Sequence, residues 1–316
     1  MAAVRSIHRR WSWTGLLLAL LASALWGMTP VATKGALQGW SPEFVSVFRL
    51  AAAALLFRIL GGAGTRWFVA DRWTWLAGIG LGADFVLYNY GLQRTSATVA
   101  GLVVNIEMVS TVALAVWLLG ERLSVHRVVG SIVTLAGVVA VNCEGVQLVQ
   151  LTANEQTFGN LLVMTASVAW SLFAVAQRKT RVGTNLFQRL TPIFSVAALT
   201  VLPTLAHRGA WTMTGGLAPF IMLVLLAVVC TGLVYFVYAQ AQDLIDVSAL
   251  AILLCSIPIF TVIFAYLLLG EPLTSRVVLG GIIVLMGIVI IATERDAVPD
   301  AAAAFAGASM DTPAGA

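Results

Sequence analysis

One folding unit that occurs twice constrains this chain more than any other feature of its sequence. The segments LLGERL (118–123) and LLGEPL (268–273) each end an apolar run, and they lie 150 positions apart. Five further pairs of identical residues share this offset: Gly82 with Gly232, Tyr88 with Tyr238, Thr111 with Thr261, Gly130 with Gly280, and Gly137 with Gly287. The sequence therefore predicts two copies of one unit in a single chain.

Each copy consists of apolar runs long enough to cross a membrane. Of the 316 residues 60% are hydrophobic and only 10% are charged, whereas about a quarter of a soluble protein is charged. A membrane helix needs about 17–25 apolar residues, and on this basis ten spans are predicted. They are 14–33, 43–60, 73–92, 97–120, 127–143, 158–176, 186–205, 218–240, 247–270 and 276–293.

The first span also resembles a cleavable signal peptide, with a basic start and an apolar middle. A second internal match favours its retention, because ASALWGMTPVATK (22–34) aligns with ASVAWSLFAVAQR (166–178) and pairs Trp26 with Trp170. Each copy then holds five spans. Since five is odd, the copies cross the membrane in opposite directions, an inverted repeat typical of transporters whose substrate site lies where the halves meet.

The basic residues predict the orientation. Cytoplasmic segments of multi-pass proteins are enriched in Lys and Arg, and with both termini in the cytoplasm only four such residues fall outside: Lys34, Arg94, Arg208 and Arg276. The prediction is a multi-pass plasma-membrane protein. It comprises a cytoplasmic tail (1–13), a first repeat (14–143), an external linker (144–157), a second repeat (158–293) and a disordered cytoplasmic tail (294–316).

Four segments resemble one known family. They are ALWGMTPVATKGAL (24–37), YNYGLQRTSATVAGLV (88–103), LLGERLSVHRVVGSIVTLAGVVAV (118–141) and PIFTVIFAYLLLGEPLTSRVVLGGIIVLMGIVII (258–291). Together they resemble the ten-helix members of the drug/metabolite transporter superfamily, built from two EamA-type repeats. The resemblance implies a secondary transporter of a small metabolite or drug, with export as the expected direction. One departure is Met108, where the family usually carries a proline that the ninth span retains as Pro258.

Three ionisable side chains interrupt the predicted spans. Asp84 and Glu107 fall near the membrane midplane, and Arg49 lies nearer the outer face. A charge at the bilayer centre costs at least about 2.5–3.5 kcal/mol. One interpretation is a structural ion pair of Arg49 with either acid. The other is substrate binding or proton coupling, because burial disfavours the charged form of a carboxylate and lets it take up and release a proton.

Aromatic and hydroxyl side chains follow helical spacing in several spans, either to pack helices or to line a cavity. The candidate substrate-binding residues are Trp26, Thr29, Tyr88, Trp170, Tyr235 and Tyr238. With the two acids, such a cavity favours an amino acid or an amphipathic cationic or zwitterionic compound. The remaining motif residues are interpreted as structural: Gly120, Glu121, Gly270, Glu271 and Pro258. Each glutamate ends a helix, where it is hydrated or pairs with a neighbour such as Arg122 or Arg276.

Two other classes of protein remain as alternatives, an integral membrane enzyme and a channel or scaffold. Against an enzyme, His8, His126 and His207 lie in the tail or in loops, and neither an H-E-x-x-H motif nor a P-loop occurs. No cofactor and no metal site are predicted. The basic residues form no stripe with interleaved aromatics, so nucleic acid is not a predicted partner. The predicted partners are a small-molecule substrate, the lipid bilayer and, if an acid titrates, protons. No feature of the sequence indicates an oligomeric state.

Overall fold

The helices of the computed structural model reproduce the two predicted sets of spans. The model describes residues 12–92, 94, 104, 106–121, 123–142, 154–180, 185–206, 209, 214–269 and 275–293. The first repeat holds α1 (Trp13–Gly27), α2 (Thr29–Ala36), α3 (Pro42–Leu60), α4 (Arg72–Leu92), α5 (Ile106–Leu114) with a π-helical turn at Ala115–Leu119, and α6 (Val125–Asn142).

The second repeat has the same order of spans, divided into helices at different points. It holds α7 (Asn154–Lys179), α8 (Leu186–Val201) with a 3-10 turn at Leu202–Ala206, α9 (Leu217–Ala227), a π-helical segment at Val228–Leu233, α10 (Val234–Leu244), α11 (Val247–Leu254), α12 (Ile257–Leu269) and α13 (Ser275–Ala292). The predicted fold class is confirmed: this is an all-α integral membrane protein of ten transmembrane helices in two inverted five-helix repeats.

Length and hydropathy single out three helical stretches of the described chain as able to cross a membrane. These stretches are Thr157–Lys179, Leu186–Ala206 and Leu217–Leu244. The described chain also contains shorter apolar helices of 10–17 residues, such as Trp13–Gly27 and Ile106–Leu119. Part of the predicted fourth span, most of the linker and the two tails lie outside the described residues.

The packing of the helices repeats between the two halves. α4 packs against α7 and α8, while the corresponding span, α9 with α10, packs against α1, α2 and α3. α5 packs on α7 as α11 and α12 pack on α1. Three pairs join equivalent spans directly: α3 with α8, α5 with α11, and α6 with α13. Each principal contact between two helices therefore has an equivalent contact, in which each helix is replaced by its counterpart from the other repeat.

Glycines hold α6 and α13 together. A Cβ atom on Gly137 would lie 2.8 Å from the Gly280 carbonyl oxygen, and one on Gly130 would lie 2.9 Å from the Gly287 carbonyl oxygen. Small residues let helix backbones approach closely in lipid, where no hydrophobic effect drives helices together. The glycines at the repeat offset are thus the contact surface between the last spans of the two halves.

Two spans are broken near prolines. α1 ends at Gly27 and α2 starts at Thr29, with Pro30 in its first turn, a position where the missing N–H has no helical partner to lose. α12 likewise has Pro258 as its second residue. At the repeat offset, the first residue of α12, Ile257, corresponds to Glu107, and α5 begins one residue earlier, at Ile106. It does so although Met108 stands where α12 has Pro258. The start of this helix therefore does not depend on proline.

Candidate functional site

An aromatic cluster joins the two repeats in the centre of the protein. Trp26 in the last turn of α1 contacts Tyr235 and Tyr238 of α10, with ring centroids 5.2 and 5.5 Å apart. Its centroid is 6.2 Å from that of Trp170 on α7, and Trp170 lies 5.6 Å from Tyr238. Four of the six predicted substrate-binding residues are therefore in direct contact.

Two phenylalanines complete this aromatic cluster and were missed by the sequence analysis. Phe173 lies 5.6 Å from Tyr235, and Phe194 of α8 lies 5.1 Å from the same ring. Both side chains are fully buried, whereas Trp26 is partly exposed. Phe173 follows Trp170 by three residues and so shares its helix face, a signal that was available in the sequence. Phe194 lies on another helix, and no local pattern marks it.

The break in the first span lies next to the aromatic cluster. Thr29 begins α2, and its hydroxyl is buried near the Cys230 thiol. Helix ends leave backbone groups without helical partners, and discontinuous helices form substrate sites in many transporters. The equivalent span of the second repeat, α7, continues from Asn154 to Lys179 without a break, so it supplies no such end.

The two predicted acids, on α4 and α5, influence each other electrostatically. Asp84 is within electrostatic range of Arg49 and Glu107 is within range of Asp84. Both acids are partly exposed. Among the described residues, neither carboxylate accepts a hydrogen bond or lies within 4.0 Å of a basic nitrogen. Tyr88, one turn after Asp84 on α4, is within electrostatic range of both acids.

The predicted ion pair between Arg49 and one of these acids is not a direct contact. Arg49 instead donates from Nε to Thr231 Oγ1 at 2.9 Å and from Nη2 to the Cys230 carbonyl oxygen at 3.4 Å. Its guanidinium also stacks on Phe85, 4.8 Å from the ring centroid. The acceptors lie in the π-helical segment Val228–Leu233. An arginine that is 8% exposed is thus held by neutral groups.

The charges of the site are not repeated in the second half. At the repeat offset, Val234 and Ile257 stand where the first repeat has Asp84 and Glu107. Arg189, the counterpart of Arg49, makes a bidentate ion pair with Asp243 at 3.0 and 2.7 Å. The first repeat therefore supplies the acids without a direct partner, and the second repeat supplies paired charges.

Polar contacts connect α7 to α10 on one side of the aromatic cluster. Gln177 Nε2 donates to Gln242 Oε1 at 3.1 Å, and Gln242 Nε2 donates to the Ala174 carbonyl oxygen at 2.7 Å. One residue further along each helix, Arg178 lies 3.6 Å from Asp243. These bonds join two helices of the second repeat, at the membrane face where α7 and α10 end.

Glu121 of the LLGERL motif caps a helix of the opposite repeat. Its Oε1 accepts from the Val247 N–H at 2.9 Å, and its Oε2 accepts from the Ser248 N–H and hydroxyl at 3.1 and 2.5 Å. Arg127 completes the contact with an ion pair to Asp246 at 2.6 Å. Gly120 adopts a left-handed conformation with φ of 70°, which turns the chain after the π-helical turn. The sequence analysis had expected this carboxylate to be hydrated or to pair with a neighbouring arginine. Gly270, Glu271 and Arg122 lie outside the described residues.

Comparisons with known proteins agree with this architecture. A family model described as the EamA-like transporter family matches residues 13–143 and 157–293. An uncharacterized transporter of Archaeoglobus fulgidus is 26% identical over 282 residues, which cover 87% of this chain and 97% of that protein. The uncharacterized inner membrane transporter YhbE of Escherichia coli is 27% identical over 172 residues, covering 52% of this chain and 54% of that protein.

A solved structure shares the fold. A crystal structure superposes with a TM-score of 0.76 at 21% sequence identity and covers 88% of this chain and 96% of that chain. At this identity the match establishes a common arrangement of helices.

Proposed function

The chain belongs to the EamA-like transporter family, and from this we propose that it is a secondary active transporter of a small organic molecule. Transport proceeds by alternating access, with the two repeats rearranging around a central site. The observation that supports this most is the aromatic cluster between α1, α7 and α10. Two acids, neither of which is directly paired with a basic group, lie near this cluster. A charge inside a membrane protein is costly and typically marks a substrate or ion pathway.

The chemistry of the site favours a substrate with an apolar or aromatic body and a cationic group. Trp26, Trp170 and Tyr238 offer ring faces, which attract cations through the ring quadrupole. Asp84 and Glu107 add negative charge beside these rings. Arg49, within electrostatic range of Asp84, suits the carboxylate of a zwitterion. An amino acid or an amphipathic cationic or zwitterionic compound fits this set, with export from the cytoplasm as the proposed direction.

Proton coupling is part of the same proposal. A carboxylate that no basic group neutralises directly is free to change protonation, and burial favours its neutral form. A substrate cation and a proton would then compete for Glu107 or Asp84, so that substrate leaves as the proton enters. With both termini in the cytoplasm, the Gln177–Gln242 contact closes the cytoplasmic side of the site.

Counterflow in liposomes tests the function itself. Purified protein is reconstituted in vesicles loaded with an unlabelled amino acid, amine or cationic drug, and the labelled compound is added outside. We expect transient accumulation of label for at least one compound, because only alternating access exchanges substrate across the membrane. Equal rates of influx with and without internal substrate would indicate a channel and contradict the proposal.

Trp26→Ala is expected to weaken substrate binding. The change removes a ring that contacts Tyr235 and Tyr238, and cation–π contacts of about 0.5–2 kcal/mol correspond to roughly two- to thirtyfold in affinity. The measurement is the concentration dependence of counterflow, normalised to protein in the membrane. Trp117→Ala is the control, since Trp117 is 77% exposed on the outer surface of the helices. Unchanged kinetics of the Trp26 variant would assign this ring to helix packing.

A further inference from the structure

A cavity outside the central site lies at the membrane face where α4 begins and α7 ends. Its volume is about 520 Å³. The residues that line it are Asp71, Arg72, Trp73, Arg178, Lys179 and Thr180. None of them belongs to the aromatic cluster or to the acids beside it, so the cavity is a separate feature.

The lining of this cavity carries more positive than negative charge. The Arg72 guanidinium carbon and the Lys179 Nζ lie 5.2 and 4.6 Å from the centroid of the same Trp73 ring. Among the described residues, neither cation has a carboxylate within 4.0 Å. The acid of the lining, Asp71, already accepts the Thr74 N–H and hydroxyl at 2.9 and 2.8 Å. Two like charges held beside one indole favour an anion between them.

The helix faces that carry these cations continue along the apolar surface of the protein. Arg72, Trp75 and Ile79 share one face of α4 by their spacing, and Trp75 and Ile79 are exposed. Lys179 likewise shares a face of α7 with Val168, which is 47% exposed. α4 and α7 pack together along their length. An anion that also carries acyl chains would bury these exposed side chains, whereas a soluble anion would leave them uncovered.

We propose that this cavity binds the phosphate of an anionic phospholipid headgroup from the adjoining leaflet. Arg72 and Lys179 pair with the phosphate, Trp73 forms one wall of the cavity, and the acyl chains lie along the exposed faces of α4 and α7. With the orientation predicted from the basic residues, this is the cytoplasmic leaflet, where basic pockets between transmembrane helices bind anionic headgroups. Arg178, 3.6 Å from Asp243, connects the cavity to the ion pairs that join α7 to α10.

Lipid retention measured by native mass spectrometry tests this proposal. The full chain is equilibrated with equal amounts of phosphatidylglycerol and phosphatidylcholine in detergent, and the bound lipids are counted. We expect wild type to retain phosphatidylglycerol preferentially. The double variant R72Q/K179Q should lose this preference, by about fivefold for each charge removed. Arg66→Gln is the control, because Arg66 is an exposed residue of the loop before α4 that does not line the cavity.

The outcomes separate the lipid from other anions. Equal retention of the two lipids by wild type would overturn the proposal whether or not the double variant folds. Loss of phosphatidylglycerol from the Arg66 control to the same extent would assign the preference to general surface charge. Displacement of the lipid by millimolar inorganic phosphate would make the cavity a site for a soluble anion, which also contradicts the proposal.

Discussion

Glu107→Gln is expected to abolish transport driven by a pH gradient while leaving substrate exchange measurable. Glutamine keeps the size of the side chain and its ability to hydrogen bond, but it cannot take up or release a proton. Among the described residues, no basic nitrogen lies within 4.0 Å of the Glu107 carboxylate, so the change leaves no direct partner unpaired. Uptake into liposomes with an imposed pH gradient, compared with counterflow at equal pH, measures the two activities separately. The dependence of transport on pH should disappear with the gradient-driven activity.

Glu43→Gln is the matched control for this experiment. Glu43 is also an acid of a membrane-spanning helix, but it lies in the first turn of α3, where it accepts a hydrogen bond from the Tyr90 hydroxyl at 3.3 Å. Its replacement should leave gradient-driven transport unchanged. A stable Glu107→Gln protein with the pH dependence of wild type would refute coupling through Glu107, and Asp84→Asn would then be tested in the same way.

Gly287→Ala is expected to destabilise the whole fold. The added Cβ would lie 2.7 Å from the Thr134 backbone nitrogen and 2.8 Å from the Gly130 carbonyl oxygen. Because both atoms belong to the α6 backbone, no side-chain rotation relieves the clash, and α6 and α13 must move apart. Overpacking of this kind costs about 1–3 kcal/mol. Thermal unfolding in detergent, followed by the fraction of monodisperse protein after heating, should show a lower midpoint.

Gly281→Ala provides the comparison on the same helix. A Cβ atom at Gly281 would meet its nearest neighbour, Ile259 Cγ1, at 3.8 Å, which is an ordinary van der Waals contact. Both variants gain the same helix propensity from alanine, so the difference between them isolates the contact of α13 with α6. Equal midpoints would mean that the close approach of these two helices contributes little to stability.

Several members of the candidate site could be predicted from the internal repeat or from helical spacing. Trp26 and Trp170 were found by aligning the two halves, and Tyr235 and Tyr238 by helical spacing. The structure brings all four rings into contact because α1 and α10 pack together at the interface between repeats. The sequence analysis did not find Phe194, because its contact with Tyr235 joins α8 to α10 and neither helix alone indicates it.

Arg49 contacts neutral groups rather than either acid, with which an ion pair had been one of two interpretations. Opposite charges in neighbouring spans suggest an ion pair, but the acceptors that Arg49 contacts belong to a π-helical segment. In that segment the Thr231 hydroxyl donates to the Leu226 carbonyl oxygen five residues earlier, at 2.8 Å. A regular α-helix would place these groups elsewhere, and no residue pattern in Val228–Leu233 predicts the π-helical geometry.

The sequence by itself determined the membrane location, the number of spans and their division into two inverted repeats. Each follows from local properties: a span is set by the length of an apolar run, and inversion is set by an odd number of spans in each copy. Only the tertiary structure decided which polar groups meet. Glu121 and Val247, or Arg49 and Thr231, are separated by more than a hundred residues. Such pairs form because buried polar groups require partners, and the packing of the helices determines which partners are within reach.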